Sequence, residues 1–375
     1  MEVIAIVPND EGDSFDDATG VRIIASPTNR SNNSARSLIG DIVWLYRKLR
    51  QLEPAVVVAY SPRMCFVFAM VQHFLRSCRY VFVVTGLGYI GISKSFGGRL
   101  ARQIIFGALR WVSRKRSFFI FENSSDPVST GIGTGHRYLT LMGAGVDPGE
   151  FRPTDPPPGP PYRFATVSRL VWSKGIDLAV EAVAGLARGG HPVELHIYGT
   201  PDQANPRPVN PATLAGVTCV HYHGYSDQVA EIWPNYYAAI FPSRGGEGLP
   251  RAMLEAAASG RSCITTAVPG CQDFVRDGVE GYVVPSESVR ALEDAIVRLV
   301  ASPEQSQAFG RRARQRVLKN STVDIIQKKY EGIFRMLLDE MRAAAPDCPQ
   351  VGGHDLLAYE GNVRVLTEPG RMDER

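Results

Sequence analysis

Cysteine motifs and long apolar runs are scarce in this chain. Its six cysteines, at positions 65, 78, 219, 263, 271 and 348, form no CxxC pair and no regular framework, and no histidine stands at metal-ligand spacing from them. We therefore expect reduced thiols, with no metal and no cofactor. The longest apolar region, 55–71, is interrupted by Ser61, Pro62 and Arg63 and predicts no membrane span, which needs about 20 residues. The first residues lack a basic start and a long apolar stretch, which predicts no signal peptide.

The composition is that of a soluble globular protein. Apolar residues make up 44% of the chain and charged residues 21%. The 375 residues suffice for two ordinary domains, each with its own core. Together with the reduced thiols, this composition predicts a cytoplasmic protein.

A net charge of +3 conceals a basic region at 22–137, which holds 17 Lys and Arg against four acidic residues. Within it, 99–116 combines an apolar helical stripe with cations on the other side, a pattern that suits an anionic membrane surface. A core-facing helix with a solvated face is the alternative. No nucleic-acid recognition motif accompanies the charge, so we expect no nucleic acid partner. The stripe consists of Leu100, Ile104, Ile105, Leu109, Trp111 and Val112.

The proline-rich segment 153–162 divides the chain and is typical of a stiff linker. On both sides of it, short apolar runs alternate with helical patterns. After it, for example, a helix is predicted near 228–236 and strands are predicted at 262–266 and 281–284. This alternation predicts parallel sheets covered by helices. We therefore predict domains at 1–152 and 153–323. They are followed by an amphipathic helix at 324–341 and a loosely ordered tail at 342–375.

Residues 247–260 place two carboxylates around the start of a helix that follows an apolar strand at 236–242. Pro250 suits the first helical position, because a proline there gives up no helical hydrogen bond. Gly260 suits the C-terminal cap.

This helix start offers several groups to a ligand. The amides of Gly248 and Leu249 would be free for a phosphate or a sugar hydroxyl. Glu247 could reach a sugar ring, and Glu255 could accept two hydroxyl donors of a ribose. The alternative is an ordinary amphipathic helix with a solvated glutamate.

The frame Phe-Pro-Ser…Glu-Gly-Leu-Pro…Leu-Glu-Ala…Ser-Gly resembles the family 4 retaining glycosyltransferases. The resemblance covers about residues 1–341 and is most specific from 164 to 285. It implies the GT-B fold, an α/β architecture of two doubly wound Rossmann-like domains facing a cleft. It also implies that the second domain binds a nucleotide-sugar, with Gly248, Leu249, Pro250 and Glu255 on the donor side.

Cations for the donor diphosphate come from 167–177, where Arg169 follows a strand and Lys174 precedes a helix. A planar guanidinium and a point charge can hold different phosphate oxygens. Two surface cations are the alternative. The resemblance further places Gly199 and Tyr225, at two strand ends, around the nucleotide base, although simple turns would give the same pattern.

On the acceptor side, Val-Val-Thr-Gly-Leu-Gly-Tyr at 83–89 and Phe-Glu-Asn at 121–123 look like a subgroup of this family. That subgroup acts on polyprenyl-diphosphate-linked acceptors in bacterial surface polysaccharide or glycan synthesis. The glycines would let the backbone approach a ligand closely. A Gly-x-Gly after a strand also hints at dinucleotide binding, but no third glycine opens a helix. The acceptor-side residues are then Thr85, Gly86, Gly88, Tyr89 and Asn123.

Two departures from the family pattern concern the first domain. Relatives usually open with a strand and a glycine-containing loop before the segment that matches 2–7, so this domain is expected to lack its first βα unit. Many relatives also carry a histidine at the end of the strand at 56–60, where this chain has Val58, Ala59 and Tyr60.

The resemblance implies a retaining glycosyltransferase at the inner face of the cell membrane. It would move a hexose or N-acetylhexosamine from a nucleotide-sugar, preferably UDP-linked, to a lipid-linked saccharide acceptor. Arg169 and Lys174 would neutralise the diphosphate and Glu247 would orient the sugar. The alternatives are a truncated, non-catalytic nucleotide-sugar-binding relative and a GT-B sugar-nucleotide epimerase.

Overall fold

The computed structural model describes residues 3–8, 14–16, 21–27, 35–203, 205–214 and 216–344. Most of the tail expected at 342–375 lies outside these ranges. The strands are β1 (Val3–Pro8), β2 (Ser14–Asp16), β3 (Val21–Ser26), β4 (Val56–Tyr60), β5 (Arg79–Val84), β6 (Ser117–Phe121), β7 (Arg137–Thr140), β8 (Tyr162–Val167), β9 (Val193–Tyr198), β10 (Val220–Gly224), β11 (Ala238–Phe241), β12 (Ser262–Thr266) and β13 (Gly281–Val284).

The helices alternate with these strands along the chain. They are α1 (Ala35–Leu52), α2 (Pro62–Val71), α3 (Gly88–Ile92), α4 (Phe96–Arg110), α5 (Asp126–Thr130), α6 (Ile176–Arg188), α7 (Val229–Ile232), α8 (Arg251–Ala258), α9 (Cys271–Phe274), α10 (Val289–Val300), α11 (Pro303–Asn320) and α12 (Val323–Ala344).

The part of the chain after the linker forms a six-stranded sheet in the order β10-β9-β8-β11-β12-β13, with parallel neighbours throughout. Every residue of β11 and β12 is buried, as expected for strands covered on both faces. One face carries a core shared with α6 and α10. The other carries a core shared with α8. The predicted parallel sheet with helices on both faces is confirmed.

The part before the linker has a four-stranded parallel sheet in the order β4-β5-β6-β7. All residues of β6 are buried, and its Phe119 stacks on Phe82 of β5 with ring centroids 5.0 Å apart. A three-stranded sheet has the order β1-β3-β2, in which β1 and β3 are parallel and β2 is antiparallel to β3.

The long helix α12 packs back onto the first sheet. Its Ile326, Ile333 and Leu337 share a buried cluster with residues of β5 and β6. Just before it, Thr322 forms a bridge with Val146, so the start of α12 is also held by a backbone contact. In the described part of the chain, no helix is both long enough and apolar enough to cross a membrane.

Two local predictions were wrong. Pro250 is not the first helical residue of α8 but the residue before it, with extended backbone at φ −60° and ψ 120°. The helix expected at 228–236 is α7 alone, followed by a 3₁₀ turn at Trp233–Asn235. Pro234 accounts for the second difference, because a proline has no N–H to continue an α-helix.

A tight contact in the second domain is testable at Gly310 of α11. A Cβ there would lie 2.0 Å from the carbonyl oxygen of Gly260, whereas a Cβ at Gly107 of α4 would meet nothing within 4 Å. We expect Gly310→Ala to lower the free energy of unfolding by about 1–3 kcal/mol or more, the scale for overpacking. Gly107→Ala should be neutral or gain up to about 1 kcal/mol. Calorimetric unfolding would check both, and equal effects would contradict the contact.

Candidate functional site

A cleft of about 270 Å³ lies where β8 and β11 end and α8 begins. Ligands of doubly wound sheets collect at this carboxyl edge of the strands. The lining residues are Thr166, Val167, Ser168, Arg169, Lys174, Phe241, Ser243, Glu247, Pro250, Arg251, Ala252 and Glu255. Both predicted cations and both predicted carboxylates are therefore in one cleft.

An ion pair joins two of the predicted residues in this cleft. Lys174 Nζ lies 2.6 Å from Glu247 Oε2, and the Ser243 hydroxyl donates to Glu247 Oε1 at 2.7 Å. The two charged side chains are only 20% and 11% exposed. Both oxygens of the carboxylate are thus held, and the ammonium group is held at the cleft wall.

The turn before α6 explains why Lys174 reaches this position. Gly175 has φ +69°, and a Cβ there would lie 1.9 Å from the carbonyl oxygen of Pro242. Only a glycine allows the turn to approach the end of β11 so closely. The Lys-Gly sequence therefore places the ammonium group over the strand end.

Arg244, which the sequence analysis did not single out, fixes the same turn. Its guanidinium donates to both oxygens of Asp177 at 2.7 Å and to the carbonyl of Trp172 at 2.7 Å. Its backbone N–H donates to the carbonyl of Ser173 at 2.7 Å. Its position directly after the Phe-Pro-Ser run was the available signal, but the partner lies 67 residues away.

Arg169 lines the cleft and is paired with an acid. Its Nη1 lies 2.5 Å from Asp202 Oδ2, and its side chain is 66% exposed. An exposed cation on a long side chain can exchange one anionic partner for another at small cost. Arg169 and Lys174 thus reach the same cleft, each held by a carboxylate.

Glu255 is buried at 6% exposure and accepts from Arg251 Nε at 2.9 Å. Burial raises the pKa of Glu255, and the neighbouring Arg251 opposes that rise. Of the two predicted base-pocket residues, Gly199 packs on the end of β8, where a Cβ would lie 1.8 Å from the carbonyl oxygen of Ser168. Tyr225 is 75% exposed and is not among the lining residues.

The expectation that the amides of Gly248 and Leu249 are free is wrong in this structure. The Gly248 N–H donates to the carbonyl of Thr85 at 3.1 Å, and the Leu249 N–H donates to Glu122 Oε2 at 3.4 Å. Asn123 Nδ2 adds a bond to the carbonyl of Glu247 at 3.1 Å. Their partners come from the first domain, so an analysis of the helix start alone could not identify them.

The predicted acceptor-side glycines lie in this interdomain contact. A Cβ on Gly86 would be 2.3 Å from the Gly248 nitrogen, and one on Gly246 would be 2.4 Å from the Gly88 carbonyl oxygen. The Gly88 N–H donates to the Gly246 carbonyl at 2.6 Å. The two segments therefore meet backbone to backbone. Tyr89, in α3, is half-buried.

Further polar groups cross between the domains near this contact. Asp273 accepts from the Ser124 N–H at 3.0 Å and from its hydroxyl at 2.8 Å. The pKa of Glu122 is raised to about 7. Burial is the main cause, the Leu249 N–H opposes the rise, and the nearby Asp126 carboxylate adds to it. The sequence signal for Glu122 was its place beside Asn123.

The described residues also contain a group that could hold a metal. The ligand atoms of Glu194, His196 and His221 lie within 4.8 Å of one another, outside the set that lines the cleft. The prediction of no metal rested on spacings relative to the cysteines. The available signal was Glu-Leu-His at 194–196 and His-Tyr-His at 221–223, each with alternate residues on one face of a strand.

Residues 161–302 match the family model described as Glycosyl transferases group 1. A curated relative from Campylobacter jejuni, N,N'-diacetylbacillosaminyl-diphospho-undecaprenol alpha-1,3-N-acetylgalactosaminyltransferase, is 22% identical over 349 residues, which cover 89% of this chain and 90% of that protein. Three other curated relatives match 45–46% of this chain, and the chain spans only 18–46% of their lengths.

Two solved structures resemble this one along most of the chain. Sucrose-phosphate synthase from Thermosynechococcus elongatus has a TM-score of 0.75 at 17% identity and covers 90% of this chain and 89% of its own. Anabaena HepE in complex with UDP-glucose has a TM-score of 0.70 at 13% identity, and the match covers 90% of this chain and 100% of the HepE chain. The protein has the GT-B fold, and this prediction is confirmed. The family model and the fold together support a GT-B glycosyltransferase.

The half-buried carboxyl of Glu122 should make the stability of the protein depend on pH. Its pKa of about 7 lies above its ordinary 4.5, so its contribution to stability is fully present below pH 4.5 and is lost as the pH rises through 7. The loss is on the order of 3 kcal/mol. Glu122→Gln keeps an acceptor but cannot ionise, so its free energy of unfolding should fall less between pH 5 and 8 than that of the parent protein.

Urea unfolding at several pH values would measure this difference. Glu53→Gln is the matched control, because Glu53 is an exposed carboxylate of the same domain. A pH dependence as steep in Glu122→Gln as in the parent would contradict the assignment.

Proposed function

We propose that the protein is a retaining glycosyltransferase that moves a hexose or N-acetylhexosamine from a UDP-sugar to a lipid-linked saccharide acceptor. The observation that carries the proposal is the convergence of Arg169, Lys174, Glu247 and Glu255 on one cleft at the carboxyl edge of the second sheet. A nucleotide-sugar presents groups that match these residues: a diphosphate, a ribose and a sugar ring.

Arg169 and Lys174 would stabilise the negative charge that develops when the donor reacts. As the bond between the anomeric carbon and the phosphate oxygen breaks, negative charge grows on the departing diphosphate, and fixed cations stabilise that charge. An ammonium group has three donors, so Lys174 can keep its bond to Glu247 while it donates to a phosphate oxygen.

Glu247 and Glu255 would bind the neutral parts of the donor, which are the sugar ring and the ribose. Glu247 is held at both oxygens by Lys174 and Ser243, which gives a fixed acceptor for a sugar hydroxyl. Glu255, buried in the middle of α8, would accept from ribose hydroxyls. Retention would follow if the acceptor hydroxyl attacks from the face that the phosphate leaves, and the departing phosphate oxygen takes the proton.

The donor class and the acceptor class have support from the similar proteins. HepE was solved in complex with UDP-glucose. The name of the Campylobacter jejuni relative describes an undecaprenol-diphosphate-linked acceptor. In this chain, the contact of 85–88 with 246–248 brings the first domain to the edge of the donor cleft, where an acceptor would have to bind.

A lipid-linked acceptor also requires a membrane surface, and we propose that α4 contacts it. Phe96, Leu100, Ile104 and Trp111 are 48–76% exposed, while Leu109 and Val112 are buried. The helix region therefore has a core-facing side and a second, exposed apolar stripe. The cations along this region suit anionic headgroups, which would place the protein at the inner face of the cell membrane.

Substitutions in the Lys174–Glu247 ion pair should affect nucleotide binding and sugar transfer differently. We expect Lys174→Gln to weaken UDP binding by about 10–100-fold, the scale of a lost hydrogen bond to a charged group. Glu247→Gln should bind UDP at least as tightly as the parent, because it frees Lys174, but should lose transfer by about tenfold or more. Calorimetry with UDP and transfer to a polyprenyl-diphosphate-linked saccharide measure the two effects.

The matched control is Lys319→Gln, an exposed lysine of α11. Unchanged UDP affinity in Lys174→Gln would contradict the diphosphate role. Binding of UDP-sugars without any transfer would favour a non-catalytic protein, and a change of sugar configuration with donor alone would favour an epimerase.

Membrane contact is testable with vesicles. The protein should sediment with phosphatidylglycerol vesicles more than with phosphatidylcholine vesicles, and less at high salt. We expect Ile104→Ser to weaken this binding by up to about tenfold, the scale of one apolar side chain. Leu318→Ser, at a similarly exposed apolar position of α11, should have no effect. Equal losses in both variants, or no preference for anionic vesicles, would contradict a site on α4.

A further inference from the structure

One face of the second sheet carries three histidines and a glutamate on its two outermost strands at one edge. In β9, buried residues alternate with half-buried ones, so Glu194 and His196 share a face. In the parallel pairing of β10 with β9, His221 stands opposite His196. His223, two residues further on, is on the same side, and its ring lies 5.2 Å from that of His196.

These side chains are close enough to share one ligand. The ligand atoms of Glu194, His196 and His221 lie within 4.8 Å of one another. The rings of His196 and His221 stack at 4.6 Å between centroids, and His196 Nε2 lies 3.5 Å from Glu194 Oε2. Three potential metal-ligand atoms thus lie in one small volume.

His221 Nε2 is buried and has no hydrogen-bond partner. A buried polar atom without a partner costs about 1–3 kcal/mol, so native structures contain few of them. A cation held between His221 and its neighbours would supply the missing partner.

The second nitrogen of His196 is already held. Its Nδ1 lies 2.9 Å from His223 Nε2, a bond that fixes the ring and leaves Nε2 directed toward Glu194. Metal-binding histidines are commonly held in this way through their other nitrogen.

We propose that Glu194, His196 and His221 bind one late first-row divalent cation, with Zn²⁺ as the reference ion. Two imidazoles and a carboxylate suit such an ion, whereas Mg²⁺ and Ca²⁺ prefer all-oxygen sites. Zinc bonds of about 2.0–2.2 Å require ligand atoms about 3.3 Å apart, so the side chains would close by about 1 Å around the ion. A water would complete a tetrahedron.

The role of this ion is structural. In the described sheet, β10 is an edge strand that pairs only with β9. A cation bound by residues of both strands would attach β10 to the sheet through side chains as well as backbone hydrogen bonds. None of its ligands lines the donor cleft, so the proposal is independent of the glycosyltransferase assignment.

Calorimetric titration of the full chain with Zn²⁺ should show one site per chain, and Zn²⁺ should raise the Tm. His221→Asn and Glu194→Gln should each weaken Zn²⁺ binding, His221→Asn by more than about 100-fold, since even supporting residues around metals are worth 10–100-fold. His191→Asn, an exposed histidine just before β9, is the matched control. Cys219→Ser excludes binding by the nearby thiol, and both controls should bind Zn²⁺ like the parent.

Three results would overturn the proposal: no stoichiometric Zn²⁺ binding, parental affinity in His221→Asn, or loss of binding in Cys219→Ser. Mg²⁺ binding as tight as Zn²⁺ binding would overturn the choice of ion. The UDP affinity of His221→Asn should equal that of the parent whether or not the metal site exists. Measuring it therefore distinguishes a failure of the metal proposal from a failure of the proposed glycosyltransferase function.

Discussion

The close backbone approach between 85–88 and 246–248 determines how the two domains meet. At Gly86 and Gly246 a Cβ would lie 2.3–2.4 Å from backbone atoms of the opposite segment, and at Gly248 it would lie 2.2 Å from the Glu122 carboxylate. Real Cβ atoms do not occupy such positions, so any side chain there would force the domains apart. The glycines that look like a ligand-binding loop in the sequence are, in the structure, first of all a condition for domain contact.

The same short segment also carries the carboxylate of the donor cleft. The carbonyl of Glu247 accepts from Asn123 of the first domain, while its side chain is paired with Lys174 of the second. Both oxygens of the Glu247 carboxylate have partners, and moving it away would leave a largely buried charge without compensation. The carboxylate therefore has little freedom to move. Domain contact and carboxylate orientation are therefore coupled through one residue. The proposed donor would meet a site whose carboxylate oxygens are already oriented, which would reduce the entropy lost on binding.

Local structure was predictable where apolar runs end at glycine, proline or serine. β4, β12 and β13 have the predicted bounds to the residue, and Gly260 follows α8 with φ +78° as a helix-terminating glycine does. These features depend on neighbours in the sequence. The alternation of apolar runs with helical patterns was also sufficient to predict parallel sheets covered by helices, because few topologies cover both faces of such a sheet. The GT-B arrangement of two such domains came from the family resemblance.

The rest depends on contacts between distant residues, and no local pattern reports those. Arg169 pairs with Asp202, which lies 33 residues further along the sequence. Glu122 accepts from the N–H of Leu249, which lies 127 residues further along. The site at β9 and β10 needs the register that sets His221 opposite His196, and register between parallel strands is fixed by packing rather than by a turn. The amphipathic pattern at 99–116 left core and membrane as alternatives, because a helix with two apolar sides gives both signals.

The charge distribution of the first domain gains meaning only from burial. Of the four acids between 22 and 137, Asp41 is 6% exposed and paired with Arg63 at 2.8 Å, and Asp126 is 4% exposed. Glu122 faces the domain contact, where it accepts from Leu249. Only Glu53 remains as an exposed acid of this region. Three of the four acids are thus turned inward while most of the described cations stay in solvent, so the outer surface is more positive than the composition indicates. Such a surface attracts anionic headgroups and a lipid-linked diphosphate by the same field. One charge distribution would then serve both membrane contact and acceptor recruitment, which links the two halves of the proposed function.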